Sequence, residues 1–116
     1  MTVAEAAGRL GGALVAGVPD AGREVLGGYA YDLLSDVMGN AREGDLWVTL
    51  QKHVNVVAVA QLKGLAGIVL VAGREPERET VARADQEHVP LVTTALPAFE
   101  AVGVLHGAGV TGLRGG

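Results

Sequence analysis

Cysteine is missing altogether from the 116 residues. That excludes disulfides, thiolate-bound zinc, iron–sulfur ligation and thiol nucleophiles supplied by this chain, and it fits a reducing compartment. Aromatic side chains are almost as scarce. Tyr29, Tyr31, Trp47 and Phe99 make up the full set, too few for a platform on which bases could stack. Positive charge is thin and scattered. Nine lysines and arginines stand against thirteen acids, for a net charge of −4, and no stripe of them makes an electrostatic footprint for nucleic acid. No apolar run is long enough to span a membrane: residues 54–71 come nearest, but Asn55, Gln61, Lys63 and two glycines interrupt them. The first ten residues carry Glu5 and Arg9 in an amphipathic stretch, without the basic start and apolar core of a signal peptide. A cytoplasmic protein that binds neither nucleic acid nor membrane is the expectation.

Glycine, alanine and valine are plentiful instead, with 18 glycines, and such small side chains let elements approach closely. The length suits one domain, here expected over 1–116 with a core of about 13–107 and a flexible glycine-rich tail over 108–116. Thr2-Val3-Ala4-Glu5 reads as a capping box opening a short helix. Residues 13–16 and 24–30 read as strands with a turn around Pro19 between them. A helix over 31–41 has Leu33, Leu34, Val37 and Met38 at helical spacing. Residues 46–50, Leu-Trp-Val-Thr-Leu, are rich in β-formers. A helix over 52–63 is apolar nearly all round, which implies cover on more than one side, by the domain itself or by a partner. Residues 67–71 form a continuous apolar run of the kind found in central parallel strands. A charged helix over 76–87 follows, with Pro76 at its first position. Then come a strand over 89–94 and a last helix over 97–106, with Phe99, Val102 and Leu105 inward. The alternation of strand and helix predicts an α/β fold, a mostly parallel sheet flanked by helices.

Ligands of such sheets sit where loops leave the carboxyl ends of the strands. Thr49, Gln51, His53 and Asn55 cluster at one such exit, at the start of a helix whose free N–H groups favour anions. Gly73 and Arg74 lie at the next exit, and Thr93 and Thr94 at the one after. Together these eight residues form a candidate pocket for a phosphate or nucleotide. The plainer alternative is an ordinary strand-to-helix junction with His53 or Asn55 as a cap.

Other chemistry is poorly supplied. The glycine clusters lack both the lysine–Ser/Thr ending of a phosphate loop and the dinucleotide spacing. Asp32, Asp36 and His53 are the candidate metal ligands, with Asp32 and Asp36 on one face of the predicted helix over 31–41, but two carboxylates without a clear third ligand make a weak signal, and Asp32 in a first turn reads as a cap. Ser35 has no nucleophile-elbow context. His88 and His106 suit helix C-termini. His53 as a lone general acid or base lacks a partner to orient it. No catalytic residue, metal or cofactor is therefore expected.

The run GGYAYDLLSDVMGNAREGDLWVTLQKHVNVVAVAQLKGLAGIVLVAGREP, continued by HVPLVTT and ALPAFEAVG, resembles the DRTGG domain family. It is most similar to the short stand-alone members, some of them encoded beside iron–iron hydrogenase genes. The resemblance implies a fold similar to the N-terminal domain of HPr kinase and a role as a regulatory and dimerisation module with no chemistry of its own. The Asp-Arg position of the naming motif falls in Gln51-Lys52-His53, and the Thr-Gly-Gly position falls on Ala72-Gly73-Arg74, with one glycine kept. The combined expectation is a non-catalytic accessory domain, homodimeric, that takes a nucleotide or phosphorylated small molecule at the strand-end loops. The alternative is a ligand-free docking subunit of a redox complex, meeting its protein partner through the apolar helix over 52–63.

Overall fold

Thr2 starts the first helix, α1 (Val3–Arg9). Its hydroxyl accepts from the Glu5 N–H at 3.1 Å, and the Glu5 carboxylate accepts from the Thr2 N–H at 3.0 Å. These two reciprocal bonds complete the capping box, and the Thr2 N–H donating to the Glu5 carboxylate, with the Thr2 hydroxyl adding to it, holds that carboxyl below its ordinary range. The computed structural model describes residues 1–113. After α1 come β1 (Ala13–Ala16), a 3₁₀ turn (Val18–Asp20), β2 (Gly27–Ala30), α2 (Leu34–Asn40), β3 (Asp45–Thr49), α3 (Asn55–Lys63), β4 (Gly67–Leu70), α4 (Arg78–Gln86), β5 (Leu91–Thr93) and α5 (Ala98–Gly107).

The strands lie in the order β1-β5-β4-β3-β2, with β2 through β5 parallel and β1 antiparallel against β5. The expected α/β architecture, a mostly parallel sheet flanked by helices, is what the chain forms. Three strand–helix–strand units step along the sheet in one direction. Crossovers of one hand then put α2, α3 and α4 on the same face. Side chains alternate across the sheet. Trp47, Ile68, Leu70 and Leu91 pack with Val37, Val56, Val57 and Ala84 on that face, while Leu46, Val48, Val69 and Val92 pack with Val3, Ala6, Ala101 and Leu105 of α1 and α5 on the other. β3 and β4 are covered on both faces, which explains the apolar runs Leu46-Trp47-Val48 and Ile68-Val69-Leu70 within them. No helix among the described residues is long and apolar enough to cross a membrane.

Several expected boundaries move. α2 begins at Leu34 rather than residue 31 because the preceding loop spends its polar groups on the sheet: Trp47 Nε1 donates to the Tyr31 carbonyl at 2.8 Å, and the Tyr31 N–H donates to the Val48 carbonyl at 3.2 Å. Pro76 lies outside α4, whose N-terminal flank is Glu77. On α5 the inward residues are Ala101 and Leu105, not Phe99 and Val102. Two residues turn a helix by about 200°, so burying Ala101 sends Phe99 outward, 87% exposed. The tail expected to be flexible is laid against the edge strand as far as it is described. The Gly28 N–H donates to the Thr111 carbonyl at 3.0 Å, and Val110 packs on the second core; residues 114–116 lie outside the described part.

Candidate functional site

The loops at the carboxyl ends of the parallel strands form two separate clusters. The first surrounds Asp32. Freed from α2, its carboxylate accepts from the Thr49 hydroxyl at 2.8 Å and from the Leu50 N–H at 2.7 Å, and its carbonyl accepts from Gln51 Nε2 at 3.2 Å. The Thr49 hydroxyl also accepts from the Gln51 N–H at 3.1 Å. Thr49 is buried, and its one hydroxyl proton is committed to Asp32 within the protein. Asp32 is thus neither a helix cap nor the face-mate of Asp36, whose carboxylate accepts from the Tyr29 hydroxyl. That bond, with burial adding to it, pushes the Tyr29 phenol up to about 12.

His53 stands apart from this cluster. Its Nδ1 lies 2.8 Å from Glu77 Oε2, and the Glu77 N–H and the Thr80 hydroxyl both donate to the Lys52 carbonyl, at 3.2 and 2.8 Å. These contacts tie the loop before α3 to the start of α4. No side chain caps α3: Val54 precedes it and Asn55 is its exposed first residue. Neither His53 nor Asn55 is therefore the cap that one reading expected.

The second cluster is a groove of about 560 Å³. The turn before β1 and β1 itself contribute Gly11, Gly12, Ala13 and Val15, the loop after β4 contributes Gly73, Arg74, Glu75 and Pro76, and Thr93, Thr94, Ala95 and Val81 complete the lining. Gly73, Arg74, Thr93 and Thr94 of the eight candidate residues thus share one groove, and Thr49, Gln51, His53 and Asn55 do not line it. Thr94 serves as structure within it, since its buried hydroxyl donates to the Leu10 carbonyl at 2.9 Å and accepts from the Leu96 N–H at 3.2 Å. The loop after β4 carries two successive residues in the left-handed region, Ala72 (φ 59°) and Gly73 (φ 68°). Their N–H groups are anchored on the Leu96 and Thr94 carbonyls, at 2.7 and 3.0 Å. The Arg74 guanidinium is exposed and makes no hydrogen bond or ion pair among the described residues. The N–H groups of Glu75 and Ala95 likewise have no acceptor there.

The contribution of residues 11–15 has no local sequence signal. It arises because β1 pairs with β5 nearly eighty positions away, Ala13 opposite Thr93 and Leu14 opposite Val92. Gly12 makes the approach possible: a Cβ there would sit 2.4 Å from the Thr93 carbonyl oxygen.

With this geometry established, the chain can be set beside known proteins. No protein-family model matches the sequence, and no curated protein matches it. Its fold is similar to that of a solved regulatory region. That structure holds the CBS and DRTGG domains of the regulatory region of Clostridium perfringens pyrophosphatase, complexed with the activator diadenosine tetraphosphate. The TM-score is 0.65 over 89% of this chain, at 14% sequence identity. This chain spans about half of that one, 48%. The likeness is one of fold, and it supports the DRTGG-like architecture expected from the sequence.

Proposed function

We propose that this chain is a non-catalytic regulatory domain, working as a homodimer, that binds a nucleotide or similar phosphorylated small molecule in the groove between β1 and the loops after β4 and β5. One observation carries the reading: the groove is edged by an exposed arginine with no partner among the described residues, and the groove lining contains no nucleophile paired with a base. Guanidinium forks match phosphate oxygens in shape and charge. Val15, Pro76 and Val81 supply apolar surface for a base or sugar. The likeness to a regulatory region that was crystallised with a nucleotide activator supports this choice of ligand class.

Calorimetric titration with adenosine triphosphate, diadenosine tetraphosphate and inorganic phosphate tests it. We expect binding of at least one nucleotide and a rise in the thermal midpoint by mass action. Arg74→Ala should weaken it by at least about tenfold, the loss of one charge-assisted contact. Glu75 also lines the groove and opposes an anion, so Glu75→Gln should tighten binding by roughly two- to fivefold, the scale of an exposed charge pair. Absence of heat and of stabilisation with every nucleotide at millimolar concentration would refute the ligand. A ligand-free docking subunit of a redox complex is not adopted, because its motivating feature is covered: α3 leaves only Ala58 and Leu62 of its apolar residues exposed.

A further inference from the structure

The outward face of α5 is poor in charge and carries large apolar side chains. A helix facing solvent ordinarily shows it charged and polar side chains, as α4 does with Arg78, Glu79, Arg83 and Asp85. Among the exposed residues of α5, Glu100 is the sole acid or base apart from His106. Phe99 stands 87% exposed, and Val102 38%. Beside the Phe99 ring lies a shallow hollow formed with Val102, Gly103, His106 and Gly107. The hollow is continuous with two more. Val102 and His106 also border an apolar pocket of about 220 Å³ under α5, and Ala30 and Val48 join that pocket to a third hollow beside Tyr31 and Leu50. Phe99, Tyr31, Val102 and Leu50, all exposed, border these hollows, so pairing here covers large side chains over part of the about 800 Å² that each side of a stable protein complex contributes.

We infer that this face is the homodimer interface and that two α5 helices cross it antiparallel about a two-fold axis near Val102 and Gly103. The face is self-complementary, as a two-fold interface must be. An exposed ring and a glycine-floored hollow lie one to two turns apart on the same helix, so antiparallel pairing about that point sets each Phe99 opposite the other copy's His106 and over its hollow. Gly103, at the centre, lets the helix axes close up, since nothing lies within 4 Å of where its Cβ would be. Charge favours the same face. Each copy carries −4, and pairing through a surface that brings in Glu100 of α5 and Asp32, whose carboxylate is already hydrogen-bonded to Thr49 and Leu50, keeps most of that charge apart. The inference rests on the homodimer clause of the proposed function and adds the face and the register.

The chain's lack of cysteine makes the register directly testable. Gly103→Cys should form a disulfide-linked dimer on mild oxidation, because residues beside a two-fold axis come within the few ångströms a disulfide spans. Leu62→Cys, exposed on α3, should not. Light scattering across a concentration series should show the native chain as a dimer. Phe99→Glu should weaken pairing by at least about 30-fold, the scale of a central aromatic anchor, with circular dichroism and thermal midpoint kept. Nucleotide titration of Phe99→Glu separates the two proposals, because the groove lies elsewhere and its binding should persist. A native chain that stays monomeric at high concentration overturns both the dimer and its face. A dimer that survives Phe99→Glu, or that cross-links through Leu62→Cys and not Gly103→Cys, overturns the face alone.

Discussion

Single side chains decide more of this structure than their types suggest, and Asp32 shows how. An aspartate immediately before a predicted apolar stripe reads as a helix cap, because the pattern Leu33, Leu34, Val37, Met38 contains nothing that delays the helix. What delays it is tertiary: the indole of Trp47 and the end of β3 claim the Tyr31 carbonyl and the Asp32 carboxylate, and neither contact has a local signature. Tyr29 is the companion case. Its hydroxyl donates to Asp36 across the gap between β2 and α2, which stabilises the protonated phenol. The folded protein therefore holds this proton until about pH 12, whereas an unfolded tyrosine releases it near pH 10. Between those values the unfolded state binds fewer protons, so stability falls as pH rises. The contribution is fully present below pH about 10. Tyr29→Phe should cost about 1 kcal/mol at neutral pH, the worth of one hydrogen bond, and should flatten the alkaline loss. Urea denaturation of both proteins at pH 8 and pH 11 checks this; an equally steep alkaline loss in the variant would place its origin elsewhere.

At the scale of elements, the existence and order of helices and strands were legible, and the direction in which a helix faces was much less so. The helix over 52–63 looked like a docking surface because it is apolar nearly all round. Its apolar character instead reflects three packed sides. Val56, Val57, Val59 and Ala60 go into the core beneath, and α2 and α4 flank it. Conversely, the periodicity of α5 is satisfied by Phe99, Val102 and Leu105 or by Ala101 and Leu105, and a rule that prefers larger residues inside selects the wrong pair. The buried side of α5 carries Ala101 and Leu105, and the larger Phe99 ring stays outside. The contrast on α3 predicts two unlike results. Val56→Ala removes two buried methyl groups and should cost about 2 kcal/mol. Leu62→Ala, at a side chain 74% exposed, should change stability by less than about 0.5 kcal/mol. Chemical denaturation of the pair measures both. Equal costs would mean that α3 is not seated as described.

The groove is a property of the whole chain, and that is why only part of it could be read locally. Gly73, Arg74, Thr93 and Thr94 belong to strand ends, where a parallel sheet is expected to place ligands. Gly11 to Val15 reach the same place because β1, the edge strand, runs antiparallel along β5. Reading alternation in the second half of the chain reveals the parallel core but gives no reason to bring the first strand to that edge. The two glycines on opposite sides of the groove separate shape from backbone strain. Gly73 sits at φ 68° with open space around it, so Gly73→Ala should cost about 1 kcal/mol of conformational energy and leave the groove its shape. Gly12 has ordinary backbone angles but no room: its added methyl meets the Thr93 carbonyl oxygen at 2.4 Å, and neither partner is a side chain that could swing aside. Gly12→Ala must therefore push β1 away from β5, weakening their pairing by roughly 1–3 kcal/mol and widening the groove. Nucleotide titration alongside denaturation tells the two apart. Binding should survive Gly73→Ala nearly intact and fall sharply in Gly12→Ala. The reverse order would mean that the ligand is held by the loop after β4 alone and that β1 has no part in the site.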